Sequence, residues 1–323
     1  MAGKDLRIVF MGTPGFAVAS LKALVENGYN VVGVITAPDK PAGRGKKLTE
    51  SDVKKYAVEK GLTVLQPEKL KNPDFLEELK SLKADLQVVV AFRMLPEAVW
   101  NMPRLGTFNL HASLLPQYRG AAPLNWAIIN GESKTGVTTF LLDHEIDTGK
   151  IIFRRETEIG ENDNVGDIHD RLMETGAALV LETVDVLASG TIKPIPQKEL
   201  ISGGEVKHAP KIFKEDCKID WLKDAETVRN LIRGLSPYPA AWANLVHSET
   251  GRTISCKIFS AQSVIADETA APGTIDSDDE TYLNVACGSG WLEITDLQLS
   301  GKKRMDAAAF LRGFRQVYDF RFE

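Results

Sequence analysis

The first 36 residues leave this chain few folds to choose from. Leu6-Arg7-Ile8-Val9-Phe10-Met11 is an apolar run bounded by turn residues, the pattern of a buried strand in a parallel sheet. Gly12-Thr13-Pro14-Gly15 ends it. Phe16 to Asn27 then carries helical apolar spacing at Val18, Leu21, Leu24 and Val25, and Asn30 to Thr36 is a second strand. Strand, helix, strand over so short a span is a βαβ unit. A dinucleotide site is the obvious use of one. However, Gly12-Thr13-Pro14-Gly15 lacks the G-x-G-x-x-G spacing, and no acidic ribose partner stands at the end of the second strand. These glycines are read as shaping a turn.

Ligands of open α/β sheets bind beyond the carboxyl ends of strands, which draws attention to residues 106–123. Gly106 to His111 reads as a strand whose alternation points Phe108 and Leu110 one way, and Asn109 and His111 the other. Pro116 and Gly120 bracket a turn, and Pro123 opens a helix running to Asn130. An isolated N-x-H is more often a structural hydrogen-bonding pair. The sequel changes that reading. A second strand, Gly136 to Leu142, leads into Asp143-His144-Glu145-Ile146-Asp147-Thr148-Gly149. Asp147 at that strand's end would complete an Asn/His/Asp set: a neutral donor, a base near physiological pH, and an orienting or proton-relaying acid.

At 323 residues the chain has room for two domains of about 100–200 residues each. Hydrophobic residues at 43% and charged residues at 26% are ordinary for a globular protein. No stretch approaches the ~20 apolar residues that span a membrane, and the N-terminus lacks a signal core, so a cytoplasmic chain without a membrane partner is expected. Cys217, Cys256 and Cys287 are odd in number, fit no metal spacing and are read as reduced thiols. The net charge of −5 announces no nucleic-acid partner, so any basic surface must be local. One such region is Ala37 to Leu48, a Pro/Gly-rich loop where Lys40, Arg44, Lys46 and Lys47 against Asp39 leave +3. It reads either as a solvated loop or as a basic arm for phosphate backbone.

Residues 190–210 can build little core and read as a linker. Beyond them come a helix, Ala225 to Leu235, and short alternating strands over 241–247, 253–264, 281–286 and 291–299, the pattern of a small OB-like β-barrel. Between residues 301 and 321, six cations against Asp306 and Asp319 leave +4, suited to non-specific phosphate contacts or to plain solvation.

Asn109-x-His111, Ser113-Leu114-Leu115-Pro116-x-Tyr118-Arg119-Gly120 and Asp147-Thr148-Gly149 together resemble the signature of 10-formyltetrahydrofolate-dependent formyltransferases, nearly end to end. Within that family the chain resembles the branch that acts on methionyl initiator tRNA. The resemblance implies an α/β fold: a Rossmann-like parallel-sheet formyltransferase domain over 1–189, a linker over 190–210 and an OB-like tRNA-binding barrel over 211–323. It implies transfer of formyl from 10-formyltetrahydrofolate to the amino group of methionyl-tRNA. Asn109 and His111 would stabilise the oxyanion, and Asp147 would hold the imidazole. Ser113, Leu114, Leu115 and Pro116 would form part of the folate loop. Phe92, Arg93, Met94 and Leu95, closer in sequence to the glycinamide ribonucleotide branch, would line the pterin end. Arg44, with Lys46 and Lys47, would wedge against the acceptor stem. No metal is expected, and a monomer is expected because no long apolar surface stripe presents itself. Asp147-Thr148-Gly149 also resembles an aspartic-protease motif, but that chemistry needs two such carboxylates and the chain has one copy. An amino-sugar nucleotide formyltransferase, a formyltetrahydrofolate hydrolase domain and a non-catalytic tRNA-binding protein stay open as alternatives. The first two have no use for the basic arm, and the third no use for the Asn/His/Asp set.

Overall fold

The structure is a computed structural model that describes residues 3–42, 47–201, 205–264 and 270–323. The chain forms two compact units. One comprises Met1–Gly120, Thr135–Glu158 and His169–His208, and the other Ala121–Lys134, Ile159–Ile168 and Ala209–Glu323.

In chain order the first unit runs β1 (Ile8–Gly12), α1 (Gly15–Glu26), β2 (Val31–Ile35), β3 (Lys40–Ala42), β4 (Lys47–Thr49), α2 (Asp52–Glu59), β5 (Val64–Leu65), α3 (Pro73–Ser81), β6 (Leu86–Val90), α4 (Glu97–Trp100), β7 (Thr107–His111) and β8 (Arg119–Gly120). The next helix, α5 (Pro123–Ile129), belongs to the second unit, and β9 (Lys134–Leu141), β10 (Ile151–Glu158) and most of α6 (Val165–Ser189) return to the first. The sheet order is β10-β9-β7-β6-β1-β2-β5. From β5 to β7 every neighbouring pair is parallel, as the βαβ pattern requires, and β9 is antiparallel to β7. Every residue of β1 and β6 is buried, because helices cover both faces. On one face Val9, Met11, Ile35 and Val89 pack with Phe75 and Leu79 of α3 and Val99 of α4. On the other, Leu110 lies on Gly176 of α6, and the Thr183 hydroxyl donates to that of Thr139 at 2.9 Å. Gly12 ends β1 where a Cβ would come within 2.6 Å of that of Ala17 in α1. Close strand–helix packing, rather than a phosphate, accounts for that glycine.

In the second unit, β11 (His208–Ala209) marks the passage from the first, followed by α7 (Ala225–Leu235), β12 (Ala241–His247), β13 (Thr253–Val264), β14 (Ile275–Ser277), β15 (Leu283–Ala286), β16 (Trp291–Leu299), β17 (Met305–Asp306), α8 (Ala307–Gly313) and β18 (Phe320–Phe322). The antiparallel order is β14-β15-β16-β13-β12-β18, with β17 on β16. The two ends meet: Phe322 N donates to Gly273 O at 2.9 Å, and Thr274 bridges Arg321. That closure makes the sheet a near-barrel among the described residues. Its core joins Leu245, Ile258, Val285, Leu292 and Ile294 to Ile232 and Leu235 of α7. Asp224 caps α7 by accepting from Thr227 N at 2.8 Å. Helix α5 packs on α7, where Asn125 Nδ2 donates to Gly234 O at 2.7 Å. Arg229, only 5% exposed, donates to Glu161 O at 2.8 Å and Asn162 Oδ1 at 3.0 Å. The three cysteines are free and buried. Burial pushes the Cys256 and Cys287 thiols up to about 12, which keeps them in the unreactive thiol form. Among the described residues no helix is long and apolar enough to cross a membrane.

Candidate active site

Pleating and register place the first two candidate residues. On β7, Asn109 pairs with Phe140 and His111 with Thr138, so all four side chains share the face opposite Leu110. His111 is 7% exposed and meets the Phe140 ring edge-on at 6.5 Å. Its Nε2 lies 3.0 Å from the Tyr118 carbonyl oxygen. A carbonyl only accepts, so Nε2 carries the hydrogen and Nδ1 is the nitrogen left free. Asn109 Oδ1 is buried without a hydrogen-bond partner. A buried orphan acceptor costs about 1–3 kcal/mol, and this one is suited to a donor that the chain itself does not supply.

The loop after β7 is fastened from beneath. Thr138 Oγ1 donates to Ser113 O at 2.6 Å and accepts from Leu115 N at 3.1 Å, while Ser113 Oγ donates to Gln117 O at 2.7 Å. Leu115 is wholly buried with Phe140 and Ile151, and its peptide bond to Pro116 is cis. Ser113, Leu115 and Pro116 are therefore interior residues that shape the loop; Leu114 is half-buried.

Asp147 reaches this region by a different route from the one its place in the sequence suggests. Because β9 is antiparallel to β7, its carboxyl end lies beside the start of β7, with Leu141 opposite Phe108 and Leu142 N donating to Thr107 O at 2.8 Å. The loop 142–150, not the strand end, carries Asp147. Its carboxylate accepts from Gly120 N at 3.0 Å, and its backbone sits at φ +55°. Two residues on, a Cβ at Gly149 would lie 1.7 Å from Leu141 O, which explains the glycine of Asp147-Thr148-Gly149. Among the described residues no hydrogen bond joins Asp147 to His111. Instead the single turn 118–120 holds both, His111 through the Tyr118 carbonyl and Asp147 through the Gly120 amide. Tyr118 and Ala91, the latter just after β6, also have positive φ, at 60° and 46°. Non-glycine residues in this region are strained, and such strain gathers at functional sites.

Sequence reasoning missed one contributor. Gln197, in the stretch read as a linker, is 2% exposed and donates to the carbonyls of Asp147 and Gly149 at 2.8 and 2.9 Å. Nothing in Pro194-Ile195-Pro196-Gln197 signals its burial.

Of the segment after β6, Leu95 is buried in the core, Met94 is 72% exposed, and Phe92 and Arg93 are half-buried. The Arg93 guanidinium donates to Pro67 O and, at 2.8 Å, to Glu68 O. It lies 5.5 Å from the Phe92 ring centre, and burial pulls it below the ordinary arginine value. Arg93, Met94 and Leu95 line a depression of about 740 Å³ with Leu70, Lys71 and Leu76. Asn109, His111 and Asp147 do not line it. Hydrogen-bonding chemistry sits at the polar set; the depression, formed by α3, α4 and the loops that precede them, offers mainly apolar surface.

Arg44 and Lys46 lie outside the described residues. The backbone of Lys47 pairs with Ala42 in the β3–β4 hairpin. Asp39, which should offset that arm's charge, is instead engaged by Lys54 at 2.5 Å and Gln66 at 2.8 Å, and Lys54 holds its carboxyl below the usual range. Some cations of the C-terminal tail are occupied: Arg304 is bidentate on Asp296 and lies 4.2 Å from the Phe259 ring centre, and Arg321 pairs with Glu323. No cluster of three or more His, Cys, Asp or Glu able to hold a metal ion occurs among the described residues.

Residues 6–184 match the family described as formyl transferase, and 211–315 match formyl transferase, C-terminal domain. A protein named methionyl-tRNA formyltransferase from Parabacteroides distasonis is 59% identical over 322 residues, covering 99% of each chain. Among solved structures, an N-formyltransferase from Helicobacter canadensis in complex with folinic acid and dTDP-3-aminofucose has a TM-score of 0.65 at 21% identity, covering 93% of this chain and 100% of that one. HypX from Aquifex aeolicus in complex with tetrahydrofolic acid has a TM-score of 0.62 at 22% identity, covering 95% of this chain and 47% of that one. At such identities these two structures speak for the fold alone.

Proposed function

Because this chain belongs to the formyl transferase family, we propose that it transfers the formyl group of 10-formyltetrahydrofolate to the α-amino group of methionyl initiator tRNA, giving N-formylmethionyl-tRNA. The folate supplies a formyl group made electrophilic by its attachment at N10. The chain's own residues manage charge and protons. Asn109 presents its amide to the reacting formyl group, its Nδ2 donating to the oxygen on which negative charge develops. His111, with Nε2 committed to the Tyr118 carbonyl, turns Nδ1 to that same oxygen as its imidazolium. Asp147, fixed at the turn that also fixes His111, takes the proton shed by the attacking amine and passes it, directly or through water, to N10 as the C–N10 bond breaks and tetrahydrofolate departs. The depression lined by Arg93 and Leu95 and the loop 113–116 would receive the flat pterin end.

The observation that carries this site reading is the shared turn: Tyr118 and Gly120 register an imidazole and a carboxylate against one another. The orphan oxygen of Asn109 supports it, since a bound amine N–H would satisfy it. We assign formyl transfer to 1–189 and tRNA contacts to Arg44, Lys46 and Lys47 together with 211–323, in a monomer working in the cytoplasm.

The test is formylation of charged initiator tRNA by wild type, His111→Ala and Arg44→Ala. The expected result is activity in wild type, near-abolition in His111→Ala, and in Arg44→Ala a raised KM for the tRNA with the folate KM unchanged. Wild type that binds the tRNA yet transfers no formyl group would sink the enzyme reading.

A further inference from the structure

We infer that Gln197 is a positioning residue for formyl transfer, acting through Asp147; the inference rests on the reading of Asp147 given above. Its side chain is 2% exposed, and every hydrogen-bonding position of its amide is used. Nε2 donates to Asp147 O at 2.8 Å and to Gly149 O at 2.9 Å. Oε1 accepts from Arg119 Nε at 3.1 Å and Nη2 at 2.7 Å. Arg119 adjoins Gly120, whose N–H holds the Asp147 carboxylate. The contacts thus close a ring: Gln197 to Asp147, Asp147 to Gly120, and Arg119 back to Gln197.

That ring has a specific consequence. Asp147 sits in the left-handed region, which a residue with a Cβ keeps only where its surroundings hold it. Gly120 fixes its carboxylate and Gln197 fixes its carbonyl, so both ends of the residue are pinned. An amide is the one side chain of this size that offers two donors to a pair of carbonyls and an acceptor to a guanidinium. Glutamate keeps the shape and the Arg119 contact but cannot donate, and would set a carboxylate against two carbonyl oxygens. A linker residue therefore sets the direction of the Asp147 carboxylate without touching substrate.

The experiment is steady-state formylation by Gln197→Ala, Gln197→Glu, Asp147→Asn and the double variant Asp147→Asn with Gln197→Ala, alongside thermal melts. We expect kcat to fall at least about tenfold in both single Gln197 variants, with KM for folate and tRNA within about twofold of wild type. In the Asp147→Asn background, losing Gln197 should cost less than about a further twofold, because the two act as one unit. If Gln197→Ala does not fold, Gln197→Glu carries the same comparison. The inference is overturned if folded Gln197 variants keep kcat within twofold, if only KM moves, or if the full loss recurs in the Asp147→Asn background. Asp147→Asn with wild-type kcat would instead remove the Asp147 reading on which the inference stands.

Discussion

His111 and Gly149 show how differently single residues serve this protein. His111 has one nitrogen committed to the Tyr118 carbonyl and one free, so removing its ring deletes a chemical group while β7 keeps its pairing. His111→Ala should lower kcat by about 10²–10⁴-fold, with the tRNA KM little changed, as measured by initial rates at saturating folate. Gly149 contributes nothing chemical, only the absence of a Cβ that would sit 1.7 Å from Leu141 O. Because that neighbour is backbone, it cannot swing aside. Gly149→Ala should cost about 1–3 kcal/mol of stability by overpacking, read from denaturant midpoints, and should displace the loop that carries Asp147.

Side-chain contacts also join the elements, and one of these titrates. Asp85, at the head of β6, accepts from Arg7 N at 2.9 Å and from Arg104 Nε at 2.7 Å, tying the start of β1 to that of β6. The Arg7 amide first, and the Arg104 side chain after it, hold its carboxyl below the ordinary range. A carboxyl lowered in the folded state stabilises the fold above its unfolded pKa of about 4, and that stabilisation is lost as pH falls through the lower folded value. Tm should therefore decline with acidification below about pH 5, and Asp85→Asn should flatten that decline while lowering Tm at pH 7. Equal slopes for wild type and Asp85→Asn would show that Asp85 has no part in it.

The whole molecule is not partitioned at one point in the chain. Helix α5 and residues 159–168 belong with the barrel unit, held by Asn125 on Gly234 and by Arg229 on Glu161 and Asn162. Gly234 lets α5 come close, for a Cβ there would meet Ile129 Cγ1 at 2.5 Å. A fragment ending at residue 210 would keep α5 but lose α7. It should melt well below the full chain by circular dichroism and should be cleaved readily by protease within 121–134. A fragment as stable and as resistant as the full chain would show that α5 does not depend on α7.

What the sequence determined by itself is what local pattern encodes. The apolar run of β1, the helical spacing after Gly15 and the alternation of Thr107 to His111 specify strand, helix and face, because period-2 and period-3.6 burial is written residue by residue. The Asn/His pair was legible for that reason, and the alternating run after residue 240 gave the barrel. Tertiary structure decided which residues meet across long separations. The antiparallel direction of β9, the hold of the 118–120 turn on Asp147, the burial of Gln197 and the place of α5 all depend on partners from 27 to 109 positions apart. Such contacts form only once packing has brought distant backbone groups together and shut out the water that would otherwise satisfy them.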